Sequence, residues 1–156
     1  MIRKIPFAQM LHWQAQNNPD HTVFLFEKKN NKIADEMTYK KLHERAVSIA
    51  QELNNHISVG DRVILLYQPG LESIAAMFAC FYVGAIPVPV YPPNPTKLNA
   101  SVDSLNRLIK DAAPALILTS SLVNALLKGI SLKDKLHKTF SKKHEQLNFC
   151  GSMVLN

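Results

Sequence analysis

The sequence predicts an α/β fold, part of a doubly wound parallel sheet, and three observations carry that expectation. The run Val63-Ile64-Leu65-Leu66-Tyr67 is apolar without alternation, the pattern of a strand covered on both faces in the middle of a parallel sheet. Leu71 to Val83 then sets Ile74, Met77, Phe78, Phe81 and Tyr82 at three- and four-residue spacing, the period of a helix with one apolar face. Gly84 suits a left-handed helix end, and Ile86-Pro87-Val88-Pro89-Val90 follows as a second strand. Strand, helix and strand over so short a length make one βαβ unit, which crosses over to the right.

The remaining elements follow in order. Residues 6–16 read as a first helix opened by Pro6, with Phe7, Met10, Leu11 and Trp13 as its buried face and Asn17-Asn18-Pro19-Asp20 as its stop. Val23 to Phe26 and Ile33 to Met37, joined by a polar turn, predict a small hairpin. Thr38 is placed to cap a long amphipathic helix. Tyr39, Leu42, Ala46, Ile49, Ala50 and Leu53 mark its buried face, and Lys40, Lys41, Glu44, Arg45 and Glu52 its wet one. In the central helix, Ala75, Ala76, Ala79 and Cys80 are small enough to let it lie close on a sheet.

Beyond the proline-rich loop Tyr91–Pro95, Ser101 is expected to open another helix, with Asp103 favourably charged in its first turn. Val102, Leu105, Leu108, Ile109 and Ala112 face inward, and Pro114 ends it. Ala115–Thr119 is a third buried strand, and Ser120 or Ser121 caps a short helix through Leu127. The order β-α-β-α-β-α is half of a doubly wound fold. Residues 131–145 are read as one more helix with a narrow stripe of Leu132, Leu136 and Phe140, and residues from Leu147 onward show no pattern.

Composition narrows the function classes. The 156 residues are 47% hydrophobic, enough for one modest domain or a piece of a larger one. Net charge is +6, but residues 128–156 hold six lysines against Asp134 and Glu145. The body is nearly neutral and offers no footprint for nucleic acid. The uncharged stretch Ile74–Val90 falls short of the roughly 20 apolar residues of a membrane span. Arg3 and Lys4 could open a signal peptide, but Pro6, His12, Gln14 and Gln16 interrupt any apolar core. Cys80 and Cys150 lack metal or redox spacing and read as free thiols of a reducing, cytoplasmic compartment.

Little catalytic chemistry is visible. The six histidines, His12, His21, His43, His56, His137 and His144, are scattered along the chain and read as solvated, with His43 on the polar side of its helix. Five glycines form no nucleotide fingerprint. The nearest phosphate-loop candidate is Thr119-Ser120-Ser121 at a strand end, for which a plain helix cap is the simpler account. No nucleophile stands beside a base. No catalytic, cofactor-binding or metal-ligating residue is therefore assigned.

The run GDRVILLYQPGLESIAAMFACFYVGAIPVPVYPPNP resembles the amino-terminal part of fatty acyl-AMP ligases, members of the adenylate-forming superfamily that also holds acyl-CoA synthetases. The same register recurs in Pro19-Asp20, in Met37-Thr38-Tyr39, and in Leu108–Ala112 ahead of Pro114 and Leu116–Thr119. The likeness covers about residues 5–127, and Val90-Tyr91-Pro92-Pro93 is the form that resembles the acyl-AMP ligases rather than the CoA ligases. It implies a flavodoxin-like parallel sheet of the amino-terminal domain. It also implies an enzyme that, when complete, uses ATP and magnesium to turn a fatty acid into acyl-adenylate and passes the acyl group to a carrier protein.

The family's ATP loop, ribose-binding aspartate and catalytic lysine match no position here. The part in hand is thus expected to bind no cofactor tightly and to be inactive alone. Residues 1–127 are read as the ligase segment. Residues 128–156 are read as a basic tail where the likeness fades, with the end at Asn156 suggesting truncation or a changed frame. Two alternatives are a piece of an acyl-CoA synthetase and a non-catalytic interaction module with a basic tail.

Pro87 and Pro89 should restrict the strand 86–90 to one partner, with Val88 and Val90 donating toward Val63–Tyr67. The strand 115–119 should leave Leu116 and Leu118 on an open edge.

Overall fold

A computed structural model describes residues 6–28, 32–94, 96, 98–129 and 150–151. The chain divides into two compact units, residues 1–59 with 69–85, and residues 60–68 with 86–156.

The first unit begins with helix α1, Phe7–Asn17, followed by the antiparallel pair β1, Thr22–Lys28, and β2, Lys32–Thr38. Helix α2, Tyr39–Leu53, starts where predicted because the Thr38 side chain accepts the Lys41 N–H at 3.3 Å. Leu42, Ala46, Ile49, Ala50 and Leu53 are its buried stripe, as the periodicity requires. Helix α3, Leu71–Val83, packs against α2 and ends at Gly84, whose φ of 73° is left-handed.

Within α3 the deeply buried residues are Leu71, Ala75, Ala76, Phe78, Ala79 and Cys80. Of the large apolar stripe read from the sequence, only Phe78 is among them. Small side chains admit the closest neighbours, so they are the ones sealed most completely. The α1 face also differs from expectation. Leu11 is its one buried residue, while Phe7, Met10 and Trp13 remain largely exposed. The Phe7 ring still reaches the rings of Phe78 and Phe81, each with centroids 6.0 Å away.

The second unit is the parallel sheet. Strands β3, Arg62–Leu66, β4, Ile86–Val90, and β5, Leu116–Thr119, lie in the order β4-β3-β5. The chain leaves β3 for a neighbour on one side and then crosses to the other, the flavodoxin-like form of double winding. Ile86 N–H donates to Asp61 O at 2.8 Å. By alternation Val88 and Val90 also donate toward β3, which leaves Pro87 and Pro89 facing outward where no donor is needed. Among the described residues β4 pairs with β3 alone, as expected.

Helix α4, Leu98–Ala112, lies on this sheet, with Val102, Leu105 and Ile109 packed on Ile64, Leu66 and Ile117. It begins before Ser101, so Asp103 is not in its first turn. Asn94 Oδ1 accepts both the Thr96 N–H and the Thr96 hydroxyl at 2.9 Å, turning the chain toward the helix earlier than its apolar period announced. Helix α5, Ser121–Gly129, adds Val123 to the core.

The edge beyond β5 is not open along its length. The short β6, Cys150–Gly151, pairs in parallel with Leu118 and Thr119, and the Leu116 and Leu118 side chains are buried. The helix expected over residues 131–145 lies outside the described residues. No helix among the described residues is long and apolar enough to cross a membrane.

Candidate functional site

Open parallel sheets present ligands with the loops after the carboxyl ends of their strands, and here those ends differ. After β4, the loop Tyr91–Asn94 and residues 100–108 of α4 line an open trough of about 470 Å³. Val90, Pro92, Pro93, Leu105 and Leu108 form its apolar wall. Pro93 is buried and anchors the loop, while Tyr91 is 75% exposed. Among the described residues the lining holds no carboxylate, imidazole or amine. It can hold an apolar or mixed group in place, and its polar groups are the Tyr91, Ser101 and Ser104 hydroxyls and the Asn94 amide.

At the ends of β3 and β5, the phosphate-loop candidate has structural employment. Thr119 is buried, and its hydroxyl donates to Leu66 O at 2.9 Å, tying the two strands together. The Ser120 hydroxyl accepts the Val123 N–H at 3.3 Å, a cap for α5. Cys80 is buried, and burial pushes its thiol up to about 12, which removes it as a nucleophile at neutral pH. Among the described residues no three His, Cys, Asp or Glu groups gather to hold a metal ion.

In the first unit the structure brings together residues the sequence left apart. His43 Nδ1 is 2.8 Å from Tyr82 Oη, and His43 Nε2 is 3.5 Å from His12 Nδ1. His12, exposed, and His43, half-buried, are thus partners across two helices rather than scattered. Burial, and after it the charge of His12, hold the His43 imidazole below its ordinary range, and Glu44 opposes them. Burial also pushes the Tyr82 phenol up to about 12, so it stays protonated. The available signal was that His43 stands four residues after Tyr39 and three before Ala46, bordering the buried stripe. Nothing local pointed from it to His12, thirty-one residues away.

The sheet and its trough define an open α/β module with a hollow at its strand ends and no complete catalytic set among the described residues. The model of the AMP-binding enzyme family matches residues 11–152, and the chain belongs to that family. It is 38% identical over 132 residues to Disco-interacting protein 2 homolog B of Homo sapiens, covering 83% of this chain and 8% of that protein. It is 34% identical to the medium-chain-fatty-acid–[acyl-carrier-protein] ligase JamA of Moorena producens, over 70% of this chain and 19% of that enzyme.

Among solved structures, the fatty acyl-adenylate ligase from L. pneumophila in complex with acyl adenylate and pyrophosphate superposes with a TM-score of 0.66 at 29% identity. That alignment covers 90% of this chain and 22% of the ligase. The chain spans between about a twelfth and about a fifth of the length of these relatives.

Proposed function

We propose that this chain supplies the amino-terminal scaffold of a fatty acyl-AMP ligase. The complete enzyme activates a fatty acid with ATP and magnesium to acyl-adenylate and pyrophosphate, then passes the acyl group to a carrier protein in the cytoplasm. The observation that carries the reading is the joint match: the family model covers nearly the whole chain, and the fold superposes on a ligase that holds acyl adenylate and pyrophosphate. Val90-Tyr91-Pro92-Pro93, the form that distinguishes the acyl-AMP ligases in the sequence reading, walls the trough after β4. A role as part of a CoA-forming synthetase is separated by the product, free thioester against adenylate passed to carrier protein.

On this reading the chain alone is scaffold and holds no triphosphate. Incubated with long-chain fatty acid, ATP and magnesium, purified residues 1–156 release no pyrophosphate above the protein-free rate. Sustained release overturns the proposal. The likeness to Disco-interacting protein 2 homolog B favours a second reading, a non-catalytic interaction module. The lysines of residues 128–156 would then contact an acidic partner, in a salt-sensitive complex lost when those residues are deleted.

A further inference from the structure

The Tyr82–His43–His12 line joins three helices, α3, α2 and α1, through ring nitrogens and one hydroxyl. With no third metal-ligating group beside it among the described residues, its chemistry is that of protons. In the neutral array each link carries one proton: Tyr82 Oη donates to His43 Nδ1, and the His43 Nε2–H donates to His12 Nδ1. One added proton is accommodated, because His12 Nδ1–H can then donate to His43 Nε2 while His43 Nδ1–H donates to Tyr82 Oη. A second added proton is not. Two N–H donors would face each other across 3.5 Å, both rings charged and neither with an acceptor.

Besides the array, helix α1 is held by the Phe7 ring against Phe78 and Phe81 of α3. It buries one side chain, Leu11, and its sequence from Phe7 to Asn17 has no Asp, Glu, Lys or Arg to form an ion pair. The groups that bear on His43 are few. On α2 there is Glu44, whose carboxylate favours the charged ring, and from α3 comes Tyr82. The Glu72 carboxylate of α3 is already taken by Arg45 at 2.7 Å. Strand β2, packed on α2, carries Asp35 and Glu36, both exposed, with Asp35 Oδ1 accepting the Glu36 N–H. None of these offers an acceptor between the two rings.

We propose that the His12–His43–Tyr82 array is a proton-sensitive latch, which keeps α1 docked on α2 and α3 while at most one of its histidines is charged and releases it when both are. His43 is held below the ordinary 6.5, so its contribution to docking is present above that pH and is lost as pH falls through the lowered value.

Trp13, the single tryptophan, sits beside His12 and reports α1 directly. Fluorescence anisotropy of Trp13 and amide protection of residues 7–17 are followed in the whole chain from about pH 8 to about pH 5. Both are expected to fall below the ordinary histidine range, severalfold for protection, while the amides of α2 and α3 keep theirs. The substitutions H12Q and H43Q, which keep a polar side chain that does not titrate, abolish the acid step. H21Q leaves it, because His21 stacks on Tyr39 away from the array. An unchanged acid step in both H12Q and H43Q, or constant α1 protection across the range in the parent chain, overturns the proposal.

Discussion

The two crossover helices, α3 and α4, solve one problem in opposite ways. Each follows one strand of the parallel sheet and precedes the next, and each must pack closely and then stop. Helix α3 does it with small residues and a glycine: Ala75, Ala76, Ala79 and Cys80 are its sealed face, and Gly84 takes the left-handed turn at φ 73°. Helix α4 does it with large residues and an alanine. Val102, Leu105 and Ile109 fill the sheet core, and Ala113 adopts φ 42° after the last turn.

A left-handed alanine costs about 1–2 kcal/mol, so something else must impose it. Pro114 disfavours a continuing helix at the preceding residue. Arg62, at the start of β3, donates from Nε to Ala112 O, and Ala115 N–H donates to Arg62 O at 2.9 Å. The sheet clamps the end of α4, whereas α3 ends by its own sequence. A helix end written locally can be read from the chain, and one imposed by a strand fifty residues away cannot.

The largest expected effect tests the packing half of that comparison. Ile109→Ala leaves a cavity under α4 and should cost about 2–5 kcal/mol in denaturant unfolding. The reverse change on α3, Ala76→Leu, should cost about 1–3 kcal/mol by overpacking. A tolerated leucine at position 76 would mean that α3 is not closely packed.

The smaller effects concern the ends. Gly84→Ala meets both a left-handed backbone and Val59 Cγ1, 3.1 Å from the added Cβ, and should lose about 1–2 kcal/mol. Ala113→Gly should gain, by less than about 1 kcal/mol, because relief of backbone strain is partly offset by the looser unfolded chain. If Ala113→Gly destabilises, the clamp is not straining the alanine.

What the sequence disclosed follows the same division. The α2 start at Thr38, the bounds and glycine end of α3, and the single-sided pairing of β4 were legible because their causes lie within a few residues: a cap hydroxyl, an apolar period closed by a glycine, two prolines two apart. The start of α4 was misplaced because an Asn94–Thr96 turn, not an apolar residue, begins the bend. The β6 pairing on Leu118 and Thr119 joins positions thirty-two apart with no pattern to mark it. At the site, the proline loop was visible, but the trough it makes with α4 was not. The meeting of His12, His43 and Tyr82 depends on how three helices dock, which no local spacing encodes.

If this chain is ligase scaffold, it can stand in for the matching segment of a complete ligase. Residues 11–152, the span matched by the family, replace the aligned segment of the L. pneumophila fatty acyl-adenylate ligase. Acyl-adenylate formation is then followed by pyrophosphate release, alongside thermal unfolding of the chimera. The chimera is expected to unfold cooperatively and to form acyl-adenylate at a rate of the same order as the parent ligase. A chimera that unfolds as cooperatively as the parent yet releases no pyrophosphate would contradict it.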